Sequence, residues 1–195
     1  MGIRGIPETE IRFENLELPG SMMLVPPGGL QRGFAGLMNA YNGQRVGAAA
    51  VALGIAEGAF DLAVEYVKHR EQFGHPIAEF QGVQWMLADM SIRLAAAQAL
   101  IYKAAASAGE SFPDRVLAAQ AKILSAETAI SVTNDALQLF GSAGYSRLRS
   151  LERMVRDARM FTIAGGTTQV LRNLVASNIL NQKLPQTHPD DRDQK

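Results

Sequence analysis

The sequence contains no cysteine, and this absence removes several kinds of chemistry at once. A chain without cysteine cannot form a disulfide, supply a thiolate nucleophile or hold a metal ion through sulfur. The chain also has no excess of positive or negative charge, because its 19 basic and 19 acidic residues cancel. A neutral chain has no overall positive field to attract nucleic acid or an anionic membrane surface. Any anionic ligand must therefore be held by a local group of residues, and nucleic acid is not an expected partner.

Long apolar runs and targeting signals are missing as well. The most apolar stretch, residues 46–56, is rich in alanine and glycine and falls short of the ~18 residues that a membrane span needs. The first residues lack the basic and then apolar pattern of a secretory signal. We therefore expect a cytoplasmic protein with no membrane segment.

The patterns of metal sites and of common catalytic motifs are absent too. Of the three histidines, no two are four residues apart on one helix, so we expect solvated turn histidines and no metal site: His69, His75 and His188. No Gly-x-Gly-x-x-Gly motif follows a strand, and no local signature groups a serine with a histidine and an aspartate.

The remaining composition indicates one domain, since 47% of the 195 residues are hydrophobic and 19% are charged. Residues 10–19 alternate between apolar and polar, which predicts a strand pair or one bent strand. After the breaker PPGG at residues 26–29, a long helix is predicted from Gln31 to about His69. Its many small residues, Gly43, Gly47, Gly54 and Gly58 among them, suggest close packing against neighbours. The turn EQFGHP at residues 71–76 ends it.

Two later segments carry apolar residues at alternating spacings of three and four, which is typical of helix packing seams. The first seam comprises Phe80, Val83, Leu87, Met90, Leu94, Ala97 and Ile101. The second follows a helix start at Ser111 and comprises Val116, Ala119, Ile123, Ala126, Ile130, Thr133, Leu137 and Phe140. Two matching seams predict antiparallel helices in a bundle. A turn at 141–146, helices at 151–161 and 167–180, and a polar tail complete a mainly α prediction.

The segment IAGGTTQVLR at residues 163–172 places two glycines directly before a predicted helix. One interpretation is a loop closed by a threonine N-cap, because glycine adopts unusual backbone angles and a threonine oxygen accepts from the first-turn amides. The other is a site where those amides meet an anion or a cofactor. The ten residues alone leave both open.

Three segments taken together resemble the C-terminal half of the acyl-CoA dehydrogenase family, in order and in spacing. They are REQFGHPIAEFQGVQWMLADM at 70–90, ALQLFGSAGYS at 136–146 and RDARMFTIAGGTTQVLRN at 156–173. Residues 2–19 resemble the end of that family's middle β-domain. The resemblance implies an FAD enzyme acting on an acyl-CoA thioester, usually assembled as a dimer of dimers.

The resemblance also implies a domain organisation. Residues 1–28 correspond to the end of the middle β-domain, residues 29–182 to the C-terminal four-helix bundle, and residues 183–195 to a polar tail. The family's N-terminal helical domain and most of its β-domain have no counterpart in these residues. We therefore expect either a fragment or a chain whose missing part comes from a partner.

Several residues match family positions that contact FAD. The Arg-x-x-Phe-Gly turn, which contacts the FAD of the neighbouring subunit, corresponds to Arg70, Gln72 and Phe73. The Gln-x-x-Gly-Gly segment, which reaches the same cofactor across the dimer, corresponds to Gln138, Gly141 and Ser142, with serine in place of the second glycine. Thr167 and Gln169 match further FAD contacts. Both Arg70 and Gln138 also have an interpretation without a cofactor. Arg70 would then belong to a capped turn, and Gln138 would form a hydrogen bond at the end of the bundle.

The positions of the family's catalytic base are both vacant in this sequence. The common glutamate position is Gly165, and the position used by a second group of members is Gln44. Glycine has no proton acceptor, and a neutral amide is not a general base near pH 7. Four residues near these positions are expected to contact the substrate: Tyr41, Asn42, Arg45 and Gly166. For Tyr41 and Asn42, packing within the bundle is the alternative.

Three functions follow from the resemblance and from the missing base. The first is dehydrogenation, the common reaction of the family, which the loss of the glutamate places in doubt. The second is an elimination that needs no base, such as the desulfination of 3-sulfinopropionyl-CoA, in which an anionic substrate tail would occupy the space that Gly165 leaves. The third is a non-catalytic helical subunit that completes the FAD site of a partner.

Overall fold

The chain forms six α-helices in the computed structural model, which describes residues 1–26 and 28–182. They are α1 (Gly33–His69), α2 (Gln81–Ala106), α3 (Arg115–Phe140), α4 (Ser142–Tyr145), α5 (Leu151–Met160) and α6 (Thr168–Ile179). A short antiparallel hairpin, β1 (Glu71–Gln72) and β2 (His75–Pro76), joins α1 to α2. The predicted mainly α fold is confirmed, whereas the predicted polar tail and His188 lie outside the described residues.

Helix α3 lies at the centre of the bundle and contacts α1, α2, α5 and α6. Both helices of the pair α1 and α3 bury alanines, and small side chains allow two helix backbones to approach closely. The buried alanines are Ala49, Ala52, Ala56, Ala59 and Ala63 of α1, and Ala118, Ala119, Ala121, Ala126, Ala129 and Ala136 of α3. The seam predicted on α2 is buried at Met90, Leu94, Ala97 and Ile101. The packing seams thus form the core of a bundle, as predicted.

The helices begin where side chains satisfy their free amides. Asp114 caps α3, and its Oδ1 accepts hydrogen bonds from the N–H groups of Val116 and Leu117, both at 2.9 Å. The helix therefore begins at Arg115, later than the predicted start at Ser111. Helix α1 begins at Gly33, after a 3₁₀ turn at Leu30–Arg32. These shifts are small and leave the predicted order of helices intact.

The strand predicted over residues 10–19 is not formed. Its apolar side chains are exposed, Ile11 and Phe13 by 69% each. A strand requires a hydrogen-bonded neighbour, and the two strands within the described residues, β1 and β2, pair with each other. The alternating pattern in 10–19 therefore has no partner strand among the residues that the structure describes.

The glycines of α1 do not pack in the way that the sequence suggested. A β-carbon added at Gly43, Gly47 or Gly54 would meet nothing within 4 Å, and one at Gly58 would make an ordinary contact with Met154. The close contacts of α1 come from its alanines instead. A second difference lies at residues 141–146, where the predicted turn contains the single-turn helix α4.

Leu30–His69 is long and apolar enough to cross a membrane, by length and composition alone. This is weak support for a span, because helices that pack inside a bundle pass the same test. The alanine face of α1 packs inside this bundle. The expectation of no membrane segment stays a prediction.

The two faces of α1 predict opposite responses to added volume. The substitution Ala52→Leu inserts a larger side chain at a fully buried position, and we expect it to lower the free energy of unfolding by about 1–3 kcal/mol. The matched Gly54→Ala adds a methyl group in open space and removes a flexible residue from a helix, so it should raise stability by about 0.5–1 kcal/mol. Urea denaturation followed by circular dichroism measures both. A loss of stability in Gly54→Ala would show that a surface from outside this chain packs there.

Candidate functional site

The two glycines between α5 and α6 form a turn that only glycine adopts without strain. Gly165 has φ +71° and Gly166 has φ +95°, both in the region that disfavours side chains. A β-carbon at Gly165 would project into open space, whereas one at Gly166 would lie 3.4 Å from Leu171 Cδ2. The turn is therefore fixed by its backbone, and Gly165 leaves free volume beside it.

Arg45 of α1 reaches this turn. Its Nε donates a hydrogen bond to the carbonyl oxygen of Gly165 at 3.4 Å, and its Nη1 donates to Asn42 Oδ1 at 2.9 Å. Asn42, only 2% exposed, donates through Nδ2 to Asn39 Oδ1 at 3.2 Å. The structure thus brings together the predicted residues Asn42, Arg45, Gly165 and Gly166.

The two other residues predicted on this part of α1 are placed differently. Tyr41 is half-buried. Gln44 is exposed to solvent. The second vacant base position therefore faces outward, while Arg45 beside it turns to the glycine carbonyl.

Lys122 of α3 is a site residue that the sequence interpretation missed. Its Nζ donates a hydrogen bond to the carbonyl oxygen of Gly166 at 2.6 Å, and the residue is 1% exposed. A signal was present in the sequence, because Lys122 is spaced four and three residues from Ala118 and Ala119 and four from Ala126. That spacing places a lysine on a buried helix face, where charged residues are rare.

Burial dominates the electrostatics of this turn. Burial first, and then the neighbouring positive charge of Arg45, together lower the pKa of Lys122 to about 8. Burial also lowers the pKa of Arg45. Within residues 1–26 and 28–182, neither cation forms a salt bridge with a carboxylate. In this part of the chain, the groups that contact the two positive charges are carbonyl and amide dipoles, so the turn favours an anionic ligand.

The amides of the turn remain available to a ligand. In the described part of the chain, the N–H groups of Gly165, Gly166 and Thr167 donate no hydrogen bond. The side chain of Thr167 does cap α6, since its Oγ1 accepts from the N–H of Val170 at 3.2 Å. The capping interpretation of the double glycine is confirmed, and the cap leaves donors free at the positive end of the helix dipole.

Three arginines line a cleft that begins at Arg45. The cleft has a volume of about 640 Å³, and Arg32, Arg115 and the amide side chains of Asn39 and Asn42 also line it. Arginine forks bind phosphate oxygens in pairs. This arginine cleft can therefore hold a ligand that carries several phosphates, next to the glycine turn.

A second cleft, of about 280 Å³, collects four of the predicted cofactor residues at the far end of α1: Arg70, Gln72, Gly141 and Ser142. Tyr66 and Phe140 also line it, and their rings stack with centroids 3.9 Å apart. We call it the hairpin cleft. Phe73, at the hairpin tip, is 90% exposed with φ +57°. Gln138 is exposed and does not line the cleft.

The last two predicted cofactor residues lie elsewhere. Thr167 and Gln169 line a cleft of about 340 Å³ with Glu127 and Arg159, next to the glycine turn. Arg45 and Arg70 are roughly 37 Å apart along α1 at ~1.5 Å per residue. The predicted cofactor contacts therefore form two separate groups within one chain.

No metal centre is visible in the described ranges, where no three histidine, aspartate or glutamate side chains form a group that could hold an ion. His69 pairs with Glu65, and His75 pairs with Glu79, each at 3.2 Å. These two histidines thus lie at the turn in ordinary surface pairs.

Comparison with known proteins gives this geometry a context. A family model described as acyl-CoA dehydrogenase, C-terminal domain, matches residues 31–180. The 3-sulfinopropanoyl-CoA desulfinase of Cupriavidus necator is 66% identical over 187 residues, covering 96% of this chain and 47% of that protein. The short-chain acyl-CoA dehydrogenase of Clostridium acetobutylicum is 42% identical, covering 92% and 46%. The chain spans about half the length of the curated relatives it matches.

Among solved structures, glutaryl-coenzyme A dehydrogenase in complex with glutaryl-CoA is similar to this chain. The TM-score is 0.81 at 32% identity, and the match covers 87% of this chain and 42% of that one. The bundle therefore has a known counterpart that was solved with an acyl-CoA bound.

The lowered pKa of Lys122 predicts a change of stability with pH. A lysine whose pKa is about 8 when folded and 10.5 when unfolded destabilises the charged folded state below pH 8, and the penalty disappears as pH rises toward 10.5. From pH 7 to pH 10, the free energy of unfolding should therefore rise by roughly 1–3 kcal/mol relative to Lys122→Met. Denaturant titrations measure this difference. The exposed Lys103→Met serves as control, and an equal pH response in all three proteins would contradict the prediction.

Proposed function

This chain belongs to the acyl-CoA dehydrogenase family, and from that premise we propose that it supplies the bundle part of an FAD-dependent enzyme acting on an acyl-CoA thioester. We further propose that the reaction is the desulfination of 3-sulfinopropionyl-CoA. The observation that carries this proposal is the glycine turn, where two cations face carbonyls and no carboxylate takes the place of the base. Similarity to desulfinases at 66% identity supports it.

Dehydrogenation requires a group that accepts the α-proton, and neither base position of the family supplies one here. Glu127 lines the cleft next to the turn, but it is paired with Arg172, with 2.7 Å between Glu127 Oε1 and Arg172 Nη2. Gly165 has no side chain, and Gln44 is neutral and exposed. The first acid of α1, Glu57, lies on the order of 20 Å beyond Gln44 along the helix. A positioned base contributes typically ~10²–10⁴-fold to the rate. Without one, a reaction that starts by removing the α-proton is strongly disfavoured.

Desulfination proceeds without that first proton removal. The bond between the β-carbon and sulfur breaks, the carbon keeps the electron pair and gains a proton, and sulfur dioxide leaves and takes up water to give bisulfite. The sum is a sulfinate thioester plus water giving propionyl-CoA plus bisulfite, with no net oxidation. Removing a carboxylate from the turn also removes repulsion against the anionic sulfinate. Arg45 would orient the anionic end of the substrate from beneath the turn.

The arginine cleft suits the CoA part of the substrate. Its three guanidinium groups and two amide side chains face a volume of about 640 Å³, and none of the described residues that line it is acidic. The phosphates of CoA would bind there, and the acyl end would extend to the free amides of the glycine turn. Charge complementarity then favours CoA thioesters over free acids, because the phosphates supply much of the attraction.

The hairpin cleft suits an FAD molecule. Arg70 offers a fork for a pyrophosphate, Phe73 exposes a ring that an adenine or ribose can cover, and Gly141 provides bare backbone at φ +58°. When bound, FAD would supply a redox centre beside the substrate. Because the hairpin cleft is far from the glycine turn, we propose that each cofactor contacts the hairpin cleft of one copy and Thr167 and Gln169 of another.

The first test concerns the vacant base. The intact enzyme, including all residues outside these 195, should reduce its flavin very slowly with butyryl-CoA. Gly165→Glu should raise that rate by up to ~10²–10⁴-fold, reduced by the roughly 1–2 kcal/mol that a side chain costs at positive φ. The same variant should desulfinate 3-sulfinopropionyl-CoA more slowly. Stopped-flow absorbance of the flavin and release of sulfite measure the two reactions.

The matched control is Gly165→Gln, which has the shape of glutamate and the same backbone strain but cannot act as a base. It should leave the butyryl-CoA reaction as slow as in the native enzyme. Rapid flavin reduction by the native enzyme would show that another base exists, and dehydrogenation would then be the better function.

The second test concerns the shared cofactor. Arg70→Ala and the double variant Thr167→Ala/Gln169→Ala should each purify with little FAD. If one cofactor spans two copies, mixed dimers of the two variants contain one intact site and should recover about half of the native flavin content. Flavin absorbance per chain measures this. Mixed dimers that stay empty would indicate that both groups of residues serve one site within a single copy.

A further inference from the structure

We propose that Lys122 is a positioning residue for the reaction: by holding the carbonyl of Gly166 from inside the bundle, it directs the N–H of Thr167 toward the bound substrate or cofactor. This inference rests on the proposed function, because it assigns a role within the same site. Lys122 contacts no ligand itself in this assignment and acts only through the glycine turn.

The first argument is the burial of the lysine. A lysine is almost never fully buried unless it is paired, because its charge loses the solvation of water. Lys122 is 1% exposed among alanines of α3, where a methionine of similar size would pack without that penalty. Its hydrogen bond at 2.6 Å to Gly166 is the contact that offsets the cost. A residue retained for packing alone would not need an ammonium group at this position.

The second argument is the geometry of a trans peptide. The carbonyl and the N–H of one peptide point in opposite directions. Arg45 binds the carbonyl of Gly165, so the N–H of Gly166 points away from the cations. Lys122 binds the next carbonyl, that of Gly166, so the N–H of Thr167 also points away. The side chains of Arg45 and Lys122 thus fix the orientation of two consecutive peptides. Neither of the two N–H groups has a partner in the described chain.

The third argument is the freedom that this turn would have without its two cations. Gly165 and Gly166 both lie at positive φ, and glycine rotates between conformations more easily than any other residue. Backbone hydrogen bonds within the described turn do not hold these two carbonyls, since their partners are the side chains of Arg45 and Lys122. Loss of the lysine therefore releases the Gly166–Thr167 peptide while the arginine still holds the peptide before it.

The substitution Lys122→Met should affect the chemical step more than substrate binding. A peptide that no longer points at the reacting group lowers kcat by about 10- to 100-fold. The arginine cleft, which holds the CoA phosphates, is unchanged, so KM should change by less than about threefold. The exposed Lys103→Met, on α2 and outside the site, should leave both constants unchanged.

Hydrogen exchange gives a readout that does not depend on turnover. The probe is succinyl-CoA, which has a carboxylate where the substrate has a sulfinate and cannot lose sulfur dioxide. In the complete native enzyme, bound succinyl-CoA should slow the amide exchange of the peptide that contains Gly165, Gly166 and Thr167. In Lys122→Met at saturating succinyl-CoA, this protection should be lost, while exchange in α2 should match the native protein.

The possible outcomes separate this inference from the proposed function. Equal protection in Lys122→Met with an unchanged kcat would overturn the positioning role and leave the function standing. Succinyl-CoA that binds the native enzyme without protecting the turn would overturn the placement of the substrate. If Lys122→Met does not fold, Lys122→Gln, which keeps a polar group, is measured in the same way. Loss of the fold in both variants would make Lys122 a core residue and overturn the inference.

Discussion

Two side-chain hydrogen bonds to consecutive carbonyls, from Arg45 to Gly165 and from Lys122 to Gly166, link three helices at one point. Arg45 belongs to α1, Lys122 to α3, and the glycines lead into α6. The conformation of the glycine turn therefore depends on how α1 and α3 pack, and their alanine faces fix that packing. The geometry of the site therefore depends directly on core packing, because a shift between the two helices would move both cations relative to the turn.

The helices were predictable because their signals are local. Apolar residues at spacings of three and four marked α2 and α3, and the breakers around residues 26–29 and 71–76 marked the ends of α1. The strand predicted at residues 10–19 failed because pairing depends on a neighbouring strand, which a local pattern does not reveal. The prediction that the glycines of α1 allow close packing was wrong for a related reason. Small residues permit close packing, but only the three-dimensional arrangement shows that the alanines make the contacts.

The site was predictable in part, and mainly through resemblance. Arg45, Asn42 and the two glycines do come together, and Arg70 does meet Gly141 in one cleft. Composition and spacing alone would have stopped at a glycine turn capped by Thr167. Lys122 was not predicted because a lysine in a helix is usually exposed, although its spacing from Ala118 and Ala126 placed it on the buried face. The arginine cleft was missed because Arg32, Arg45 and Arg115 are far apart in the sequence.

The length of α1 has a mechanical consequence. At ~1.5 Å per residue, its 37 residues form a rod of roughly 55 Å. It carries Arg45 near its first third and ends at His69, directly before Arg70, which lines the hairpin cleft. A stiff rod transmits axial displacement with little loss, so a small sliding of α1 would move the support of the glycine turn and the wall of the hairpin cleft together. In an assembly where the glycine turn and the hairpin cleft of one chain belong to two different catalytic centres, α1 would connect these centres. Binding of a ligand at one centre would then change the geometry of the other.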